Sequence, residues 1–308
     1  MRIATRGSEL ARWQAAFVAD RLTASHAGLS VELVLVETTG DRRLDVPIWE
    51  VGGQGVFVKE VQAMVLDGRA DIAVHSAKDL PSVTAPGLVL AGVPVRGDPR
   101  DALVGSTLAD LPAGARVATG SVRRRAQLAW LRPDLTFAGL RGNIGTRLAQ
   151  AGHHQAVVVA AAALQRLGLA AAAAEVLPPE VLLPQVGQGA LAVECRAGDE
   201  ITADLLAAID EPSAHRALDA ERGFLARVGG GCDLPVGAYA TEGPDGTMTI
   251  DGMLANSDGR IMLRAQRTGP ASEPAQLGAA LAEYLLYDSG GATLLSELYL
   301  DRADAVAR

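Results

Sequence analysis

Two cysteines in 308 residues leave no room for a disulfide framework or a cysteine-built zinc cluster. That scarcity fits a reducing, cytoplasmic setting. Lysine is equally scarce: Lys59 and Lys78 are the only lysines among 28 basic residues, the rest being arginine. A formal net charge of −8 lacks the basic excess of a general nucleic-acid binder. No apolar run approaches a membrane span, and Met1-Arg-Ile-Ala-Thr-Arg6 lacks the apolar core of a signal peptide, so no membrane partner is expected. The Ala-rich stretch 156–174 is broken by Gln165 and Arg166 and reads as a strand and a helix. What is present, 49% hydrophobic and 21% charged residues, suits a soluble globular chain with room for two or three domains.

Hydrophobic patterning predicts alternating elements. Ile3–Thr5 reads as a strand. Ser8 caps a helix to about Ala24, with Leu10, Trp13, Phe17 and Leu22 near helical spacing. Val31–Glu37 is a near-continuous apolar run, as expected of a strand covered on both faces. A flexible glycine loop over 51–55 leads into a helix over about 56–67, then strands at Asp71–His75 and Leu88–Val95. Near Asp98 the pattern restarts. Strands at Arg116–Ala118, Leu135–Ala138 and Ala156–Val159 alternate with helices at Ser121–Leu131, Asn143–Ala151 and Ala160–Leu167. A strand at Ala190–Glu194 and helices near Ile201–Ile209 and Ser213–Arg227 follow. The tail reads as three strands (Val236–Thr241, Thr247–Leu254, Arg260–Gln266) and two helices. This order predicts two α/β halves joined by two connections, with a cleft between them, and a separate α+β domain.

Ligands of open α/β sheets bind at the carboxyl ends of strands. Those loops are Thr5-Arg-Gly-Ser8, Ser76-Ala-Lys-Asp-Leu-Pro81, Thr119-Gly-Ser-Val-Arg-Arg-Arg125 and Leu140-Arg-Gly-Asn-Ile-Gly-Thr-Arg147. Two of them set glycine and hydroxyls at a helix start, where free N–H groups and the helix dipole favour anions. Arginines in a first helical turn oppose that dipole, at a cost of about 0.3–1 kcal/mol each. Paying it in two places points to an anionic ligand, and arginine forks suit carboxylate or phosphate. Neither the P-loop pattern nor the dinucleotide fingerprint occurs. Asp79, set among cations, should be ionised and able to stabilise positive charge or pass protons. His75 reads as a packed strand residue. His153 and His154 lie on a surface loop and lack the partners of a metal site, so no metal is expected.

Val228-Gly-Gly-Gly-Cys-Asp-Leu-Pro235 cannot continue as a helix and should form a bare, tight turn presenting one sulfur. Alone, it is either a turn burying a small hydrophobe or a thiol held out for covalent chemistry.

Eight segments in order carry a resemblance that runs nearly end to end. They are Arg2-Ile-Ala-Thr-Arg-Gly-Ser8, Gly52-Gly-Gln-Gly-Val-Phe-Val-Lys-Glu60, Asp71-Ile-Ala-Val-His-Ser-Ala-Lys-Asp-Leu-Pro81 and Asp98-Pro-Arg-Asp-Ala102. Further on come Thr119-Gly-Ser-Val-Arg-Arg124, Leu140-Arg-Gly-Asn-Ile-Gly-Thr-Arg147, Pro184-Gln-Val-Gly-Gln-Gly-Ala190 and Gly230-Gly-Cys-Asp-Leu-Pro-Val-Gly237. The chain resembles the hydroxymethylbilane synthase (porphobilinogen deaminase) family, most weakly after about Ala240. Members of that family join four porphobilinogen molecules head to tail, losing ammonia each time, and release the linear product by hydrolysis. They carry a dipyrromethane cofactor on a cysteine thioether.

The resemblance implies two lobes of periplasmic-binding-protein-like, doubly wound type, residues 1–93 with 190–208 and residues 97–185. A C-terminal α+β domain, 212–308, would carry the cysteine loop. It implies Cys232 as the covalent attachment point and Asp79 as the catalytic residue. Ser8, Lys78, Thr119, Ser121, Arg123, Arg124, Ala160 and Gln188 would contact the cofactor, and Arg6, Arg141 and Arg147 the substrate carboxylates. A cytoplasmic monomer serving tetrapyrrole and heme biosynthesis, without nucleic acid or membrane, is the expected setting. Gln54 stands where the family commonly has lysine, and Gly7 and Gly120 replace larger or polar residues. A non-catalytic two-lobed binder of a small polycarboxylate would share the lobes and arginines, but would need neither the Cys232 loop nor Asp79 among cations. A phosphosugar enzyme would predict phosphate competition and no bound chromophore.

Overall fold

The computed structural model describes residues 1–42, 55–229 and 234–296; Gln54 and Cys232 lie outside the described residues. The chain opens with β1 (Arg2–Arg6), α1 (Glu9–Ser25), β2 (Glu32–Val36), the short α2 (Thr39–Arg42), α3 (Lys59–Leu66), β3 (Ile72–Ser76) and β4 (Leu88–Gly92). It crosses to a second sheet: β5 (Asp101–Val104), β6 (Arg116–Ala118), α4 (Val122–Leu131), β7 (Thr136–Ala138), α5 (Ile144–Ala149), β8 (Ala156–Ala160), α6 (Ala161–Arg166) and β9 (Glu175–Leu177). It then returns as β10 (Leu191–Arg196), followed by α7 (Glu200–Ala207) and α8 (Pro212–Val228). β11 (Val236–Glu242), β12 (Thr247–Ala255), β13 (Met262–Pro270) and α9 (Pro274–Glu283) form the C-terminal unit.

The sheet orders are β2-β1-β3-β10-β4, β7-β6-β8-β5-β9 and β11-β12-β13. In the first two, β1 pairs in parallel with β2 and β3, and β6 with β7 and β8. The strands that follow each crossing run against their neighbours: β5 is antiparallel to β8 and β9, and β10 to β3 and β4. Each α/β lobe therefore has a parallel core with an antiparallel insert. The third sheet is antiparallel throughout and packs Ile250 and Leu254 against Phe224 of α8 and Leu281 of α9.

Sequence and structure differ at three places. β2 lies at a sheet edge rather than under cover on both faces, and its Leu35 is 55% exposed. Apolar content does not by itself say whether a strand has a neighbour on each side. The buried stripe of α1 is Ala11, Ala15, Val18 and Leu22, whereas Trp13 and Phe17 stack on each other with centroids 5.3 Å apart, only partly covered. Small side chains let α1 sit close on the sheet, so the bulky ones are left at its margin. Finally, β5 and β9 are too short, at four and three residues, to show a period of their own.

Candidate active site

The site grows from the ends of the parallel strands. Beyond β1, the Ser8 hydroxyl accepts the Ala11 N–H at 3.3 Å and starts α1. Beyond β6, Ser121 caps α4 by accepting the Arg124 N–H, while the Thr119 hydroxyl accepts the Ser121 N–H at 3.2 Å. Asn143 does the same for α5 at Thr146. These caps satisfy orphan donors and fix where each helix begins. Beyond β3, residues Ala77–Asp79 form one 3-10 turn that presents Lys78 and Asp79 together.

That turn is held from behind. Gly187, at φ +72°, packs so closely that a Cβ there would lie 2.9 Å from Ala77 C and Lys78 N. Gln185 Nε2 donates to the Lys78 carbonyl at 3.2 Å. The Gly187 N–H donates at 2.7 Å to Glu221 of α8, a wholly buried carboxylate that also takes Arg96 Nη1 at 2.6 Å and the Ala240 N–H at 3.0 Å. One carboxylate thus ties both crossings between lobes to the C-terminal unit.

Two recesses meet at Asp79. The larger, about 520 Å³ and open to solvent, is lined by Lys78 and Asp79 from the first lobe, Ser121 and Arg123 from the second, and Leu225 and Leu234 from the C-terminal unit. Leu234 is two residues beyond Cys232 in sequence. The smaller, about 380 Å³, is lined by Arg6, Ser8, Gln14, Phe57 and Ser76. Half-buried Asp79 makes no hydrogen bond to any described residue, so its carboxylate is available on the wall between them.

Cations crowd this wall. Burial and the like charge of Arg124 pull the Lys78 ammonium down to about 8, with Asp79 and Asp101 acting the other way. Burial likewise brings Arg147 down to about 10, helped by Arg124 and Arg141 and opposed by Asp79. Its Nε donates to the Gly142 carbonyl at 2.8 Å.

Arg123 and Arg124 are placed differently from the expectation of direct contact alone. Both are buried against Asp101, the first residue of β5 and itself without exposed surface. Arg123 Nη2 donates to it at 2.7 Å, Arg124 Nε at 2.9 Å, and Gln188 Nε2 at 2.8 Å. Burial alone would raise the Asp101 carboxyl, but the two guanidinium charges and their hydrogen bonds hold it at about 2. Arg124 also donates to the Val158 carbonyl and to Gln188 Oε1, and Ala160 pairs in register with Asp101. Arg124, Gln188 and Ala160 therefore lie beneath the recess, while Arg123 lines it with a buried Nε that has no hydrogen-bond partner among the described residues. Local sequence gave no sign that Asp101 would be buried. Its partners come from α4 and from the 178–190 crossing.

His75 is a packed strand residue as expected, with Nε2 3.2 Å from buried Glu194. Glu194 also accepts from Gln62 at 2.8 Å. Cys195 is buried and free, and burial raises its thiol, which keeps it a poor nucleophile. A Cβ at Gly120 would sit 2.5 Å from the Leu140 carbonyl, so this loop is closed tightly around glycine; at Gly7 the space is open.

Lys78, Arg123, Arg124, Arg141 and Arg147 against Asp79 and Asp101 leave an excess of positive charge in a chain of net charge −8. A buried Arg123 Nε with no hydrogen-bond partner among the described residues, a lysine lowered chiefly by burial and a carboxylate with no hydrogen bond to a described residue fit a polycarboxylate that also offers N–H groups.

Two family models match this chain. The porphobilinogen deaminase dipyromethane cofactor binding domain covers residues 1–204, and the porphobilinogen deaminase C-terminal domain residues 216–287. Porphobilinogen deaminase of Roseiflexus castenholzii (strain DSM 13941 / HLO8) is 52% identical over 300 residues, covering 96% of this chain and 98% of that protein. That of Roseiflexus sp. (strain RS-1) is 51% identical over the same shares. Among solved structures, a TRAP periplasmic solute binding protein from Xanthobacter autotrophicus PY2 with bound β-D-galacturonate aligns at TM-score 0.39 and 13% identity, covering 74% of this chain and 81% of that one. Among the described residues, no helix is long and apolar enough to cross a membrane.

Proposed function

The chain belongs to the porphobilinogen deaminase family, and from that premise we propose how its own residues perform the family's reaction. The activity is the head-to-tail condensation of porphobilinogen with loss of ammonia, a transferase reaction, on a dipyrromethane cofactor. When bound, the cofactor supplies the pyrrole α-carbon at which the chain is extended. Cys232 is the proposed attachment point, on the strength of its glycine-flanked motif and of Leu234 lining the larger recess.

Asp79 carries the reading. Its carboxylate stands between two recesses, accepts no hydrogen bond from a described residue, and lies beside Lys78 and within reach of the charge of Arg147. Positive charge that develops on a pyrrole N–H during ammonia loss and carbon–carbon bond formation meets this fixed negative charge, which also accepts a proton over a short distance. Lys78, Ser121, Thr119 and Arg123 hold acetate and propionate groups in the larger recess. Arg124, Gln188 and Ala160 act from beneath by charge and packing. Arg6 and Ser8 serve the smaller recess, and Arg141 and Arg147 extend the basic wall along which the product lengthens. Each guanidinium binds a carboxylate through its planar fork, which an ammonium lacks.

We propose the units 1–93 with 190–208, 97–185 and 212–308, a division that the separation of the strands into three sheets supports. We propose a monomer, in line with a recess lined from all three sheets' units, and a cytoplasmic setting, in line with a chain of only two cysteines. The deciding experiment is the intact mass of protein purified from cells that make porphobilinogen. An excess of two linked pyrrole units, absent in Cys232→Ser, is the expected result; an unmodified wild-type mass overturns the assignment.

A further inference from the structure

The smaller recess already contains a carboxylate on its arginine. Arg6 Nε donates to Asp41 Oδ2 at 3.1 Å, and Arg6 Nη2 closes a second bond to Asp41 Oδ1. Asp41 comes from α2 and is steadied by the Thr38 hydroxyl at 2.7 Å and the Thr38 N–H at 3.3 Å. The Phe57 ring lies 4.1 Å from Arg6 Cζ and covers one face of the guanidinium. Burial would raise the Asp41 carboxyl, but the bonds from Arg6 and Thr38 lower it, so Asp41 is ionised at neutral pH.

This geometry is what a substrate carboxylate would need. Of the two two-point edges of a guanidinium, Asp41 occupies Nε–Nη2, and an edge holds one carboxylate at a time, so a substrate carboxylate bound on this edge must displace Asp41. We infer that Asp41 is a built-in competitor for the substrate carboxylate at Arg6, and thereby sets how tightly and how selectively the incoming monomer is captured. The inference rests on the assignment of Arg6 to substrate binding.

Three observations support exchange over permanent pairing. Arg6 and Asp41 keep 22% and 26% of their side-chain surface exposed, so an entering anion can reach them. Arg6 opens on the recess shared with Ser8, Gln14, Ser76 and Asp79. Asp41 retains two Thr38 donors after letting go of Arg6, so its charge is not stranded. The apparent affinity for the monomer is then the intrinsic affinity multiplied by the fraction of molecules in which Arg6 is free. A ligand without a carboxylate has nothing with which to take Arg6 from Asp41, and is discriminated against.

The test uses the cofactor-loaded enzyme. Asp41→Asn keeps the shape and the Thr38 bonds but removes the competing charge. The KM for porphobilinogen is expected to fall about three- to tenfold, with kcat moving less. Porphobilinogen methyl-esterified at both carboxylates should show no such gain. Asp41→Ala, checked for folding by its thermal transition, should move KM in the same direction. Arg6→Ala should raise KM about tenfold or more, and adding Asp41→Asn to it should change nothing further. If Arg6→Ala raises KM while both Asp41 variants leave it unchanged or higher, Asp41 is only a support for Arg6 and the inference fails. If Arg6→Ala leaves KM unaltered, the assignment of Arg6 fails first and takes the inference with it.

Discussion

Two arginine–aspartate sites, one in each lobe, show how burial divides similar chemistry into different jobs. In the second lobe Asp101 has no exposed surface and takes bonds from Arg123, Arg124 and Gln188 together. In the first, Asp41 is a quarter exposed and, among the described residues, holds Arg6 alone of the cations. A buried charge pair cannot open without leaving a charge in a medium that solvates it poorly, whereas water covers the parts of a half-exposed pair as they separate. The Asp101 cluster therefore acts as a fixed positive floor for the larger recess. The Asp41 pair is an exchangeable contact at the mouth of the smaller one. Asp79 is the limiting case, a carboxylate with no hydrogen bond to a described residue, which is the one we propose for the reaction.

The comparison breaks most visibly at its buried end. Asp101→Asn strands two interior guanidiniums and is expected to lower unfolding stability by about 3–5 kcal/mol. Denaturant titration beside Asp41→Asn, whose cost should stay within about 1 kcal/mol, measures the contrast. Equal losses would mean the two pairs do the same job.

Asp79→Asn is expected to do the opposite: stability unchanged, with turnover down about 10²–10³-fold from loss of a preorganised charge. Porphobilinogen consumption and the mass of protein-bound chains report it. Near wild-type turnover would remove Asp79 from the chemistry.

Lys78 gives the smallest and most graded effect. Its ammonium, lowered to about 8, is charged below that pH and neutral above it. An anionic ligand favours the charged form, so binding takes up a proton once the pH exceeds about 8. KM should accordingly rise between pH 8 and 9, by at most about tenfold per unit. Lys78→Arg stays charged throughout and should flatten that limb. A wild-type KM flat across this range would show that the lysine does not face the substrate or growing chain.

Much of this was legible before any coordinates. Strand ends pointed to the loops beyond β1, β3, β6 and β7, two of them marked by glycine and hydroxyl residues, and Ser8, Ser121 and Asn143 cap the helices they precede. Asp79 and Lys78 stood out because theirs is the only predicted strand end that places a carboxylate beside a lysine. What stayed hidden depends on contacts distant in sequence. Nothing near Asp101 tells a buried acid from a solvated one, and nothing near Arg123 or Arg124 says that both meet the same carboxylate 22 and 23 residues away. Asp41 is equally silent, since its partner Arg6 lies 35 residues upstream. The α1 stripe was misjudged because Trp13 and Phe17 carry more hydrophobic weight than the alanines that pack.

The placement of β10 has a consequence for biosynthesis. This strand is not at an edge: it lies between β3 and β4, yet it is translated after every strand of the second sheet. A nascent chain leaving the ribosome therefore carries β3 with one side unpaired and β4 with no partner strand in the first sheet until residue 196 has emerged. The second sheet uses residues 101–177 only and can close earlier. The lobe that begins first is thus expected to finish last, with a chaperone-accessible gap in the interval. Chains stalled once residue 185 has cleared the ribosome, but before residue 190 has, should resist protease across 101–177 while being cut within 1–93, and uniform protection of both would show that the first lobe closes without β10.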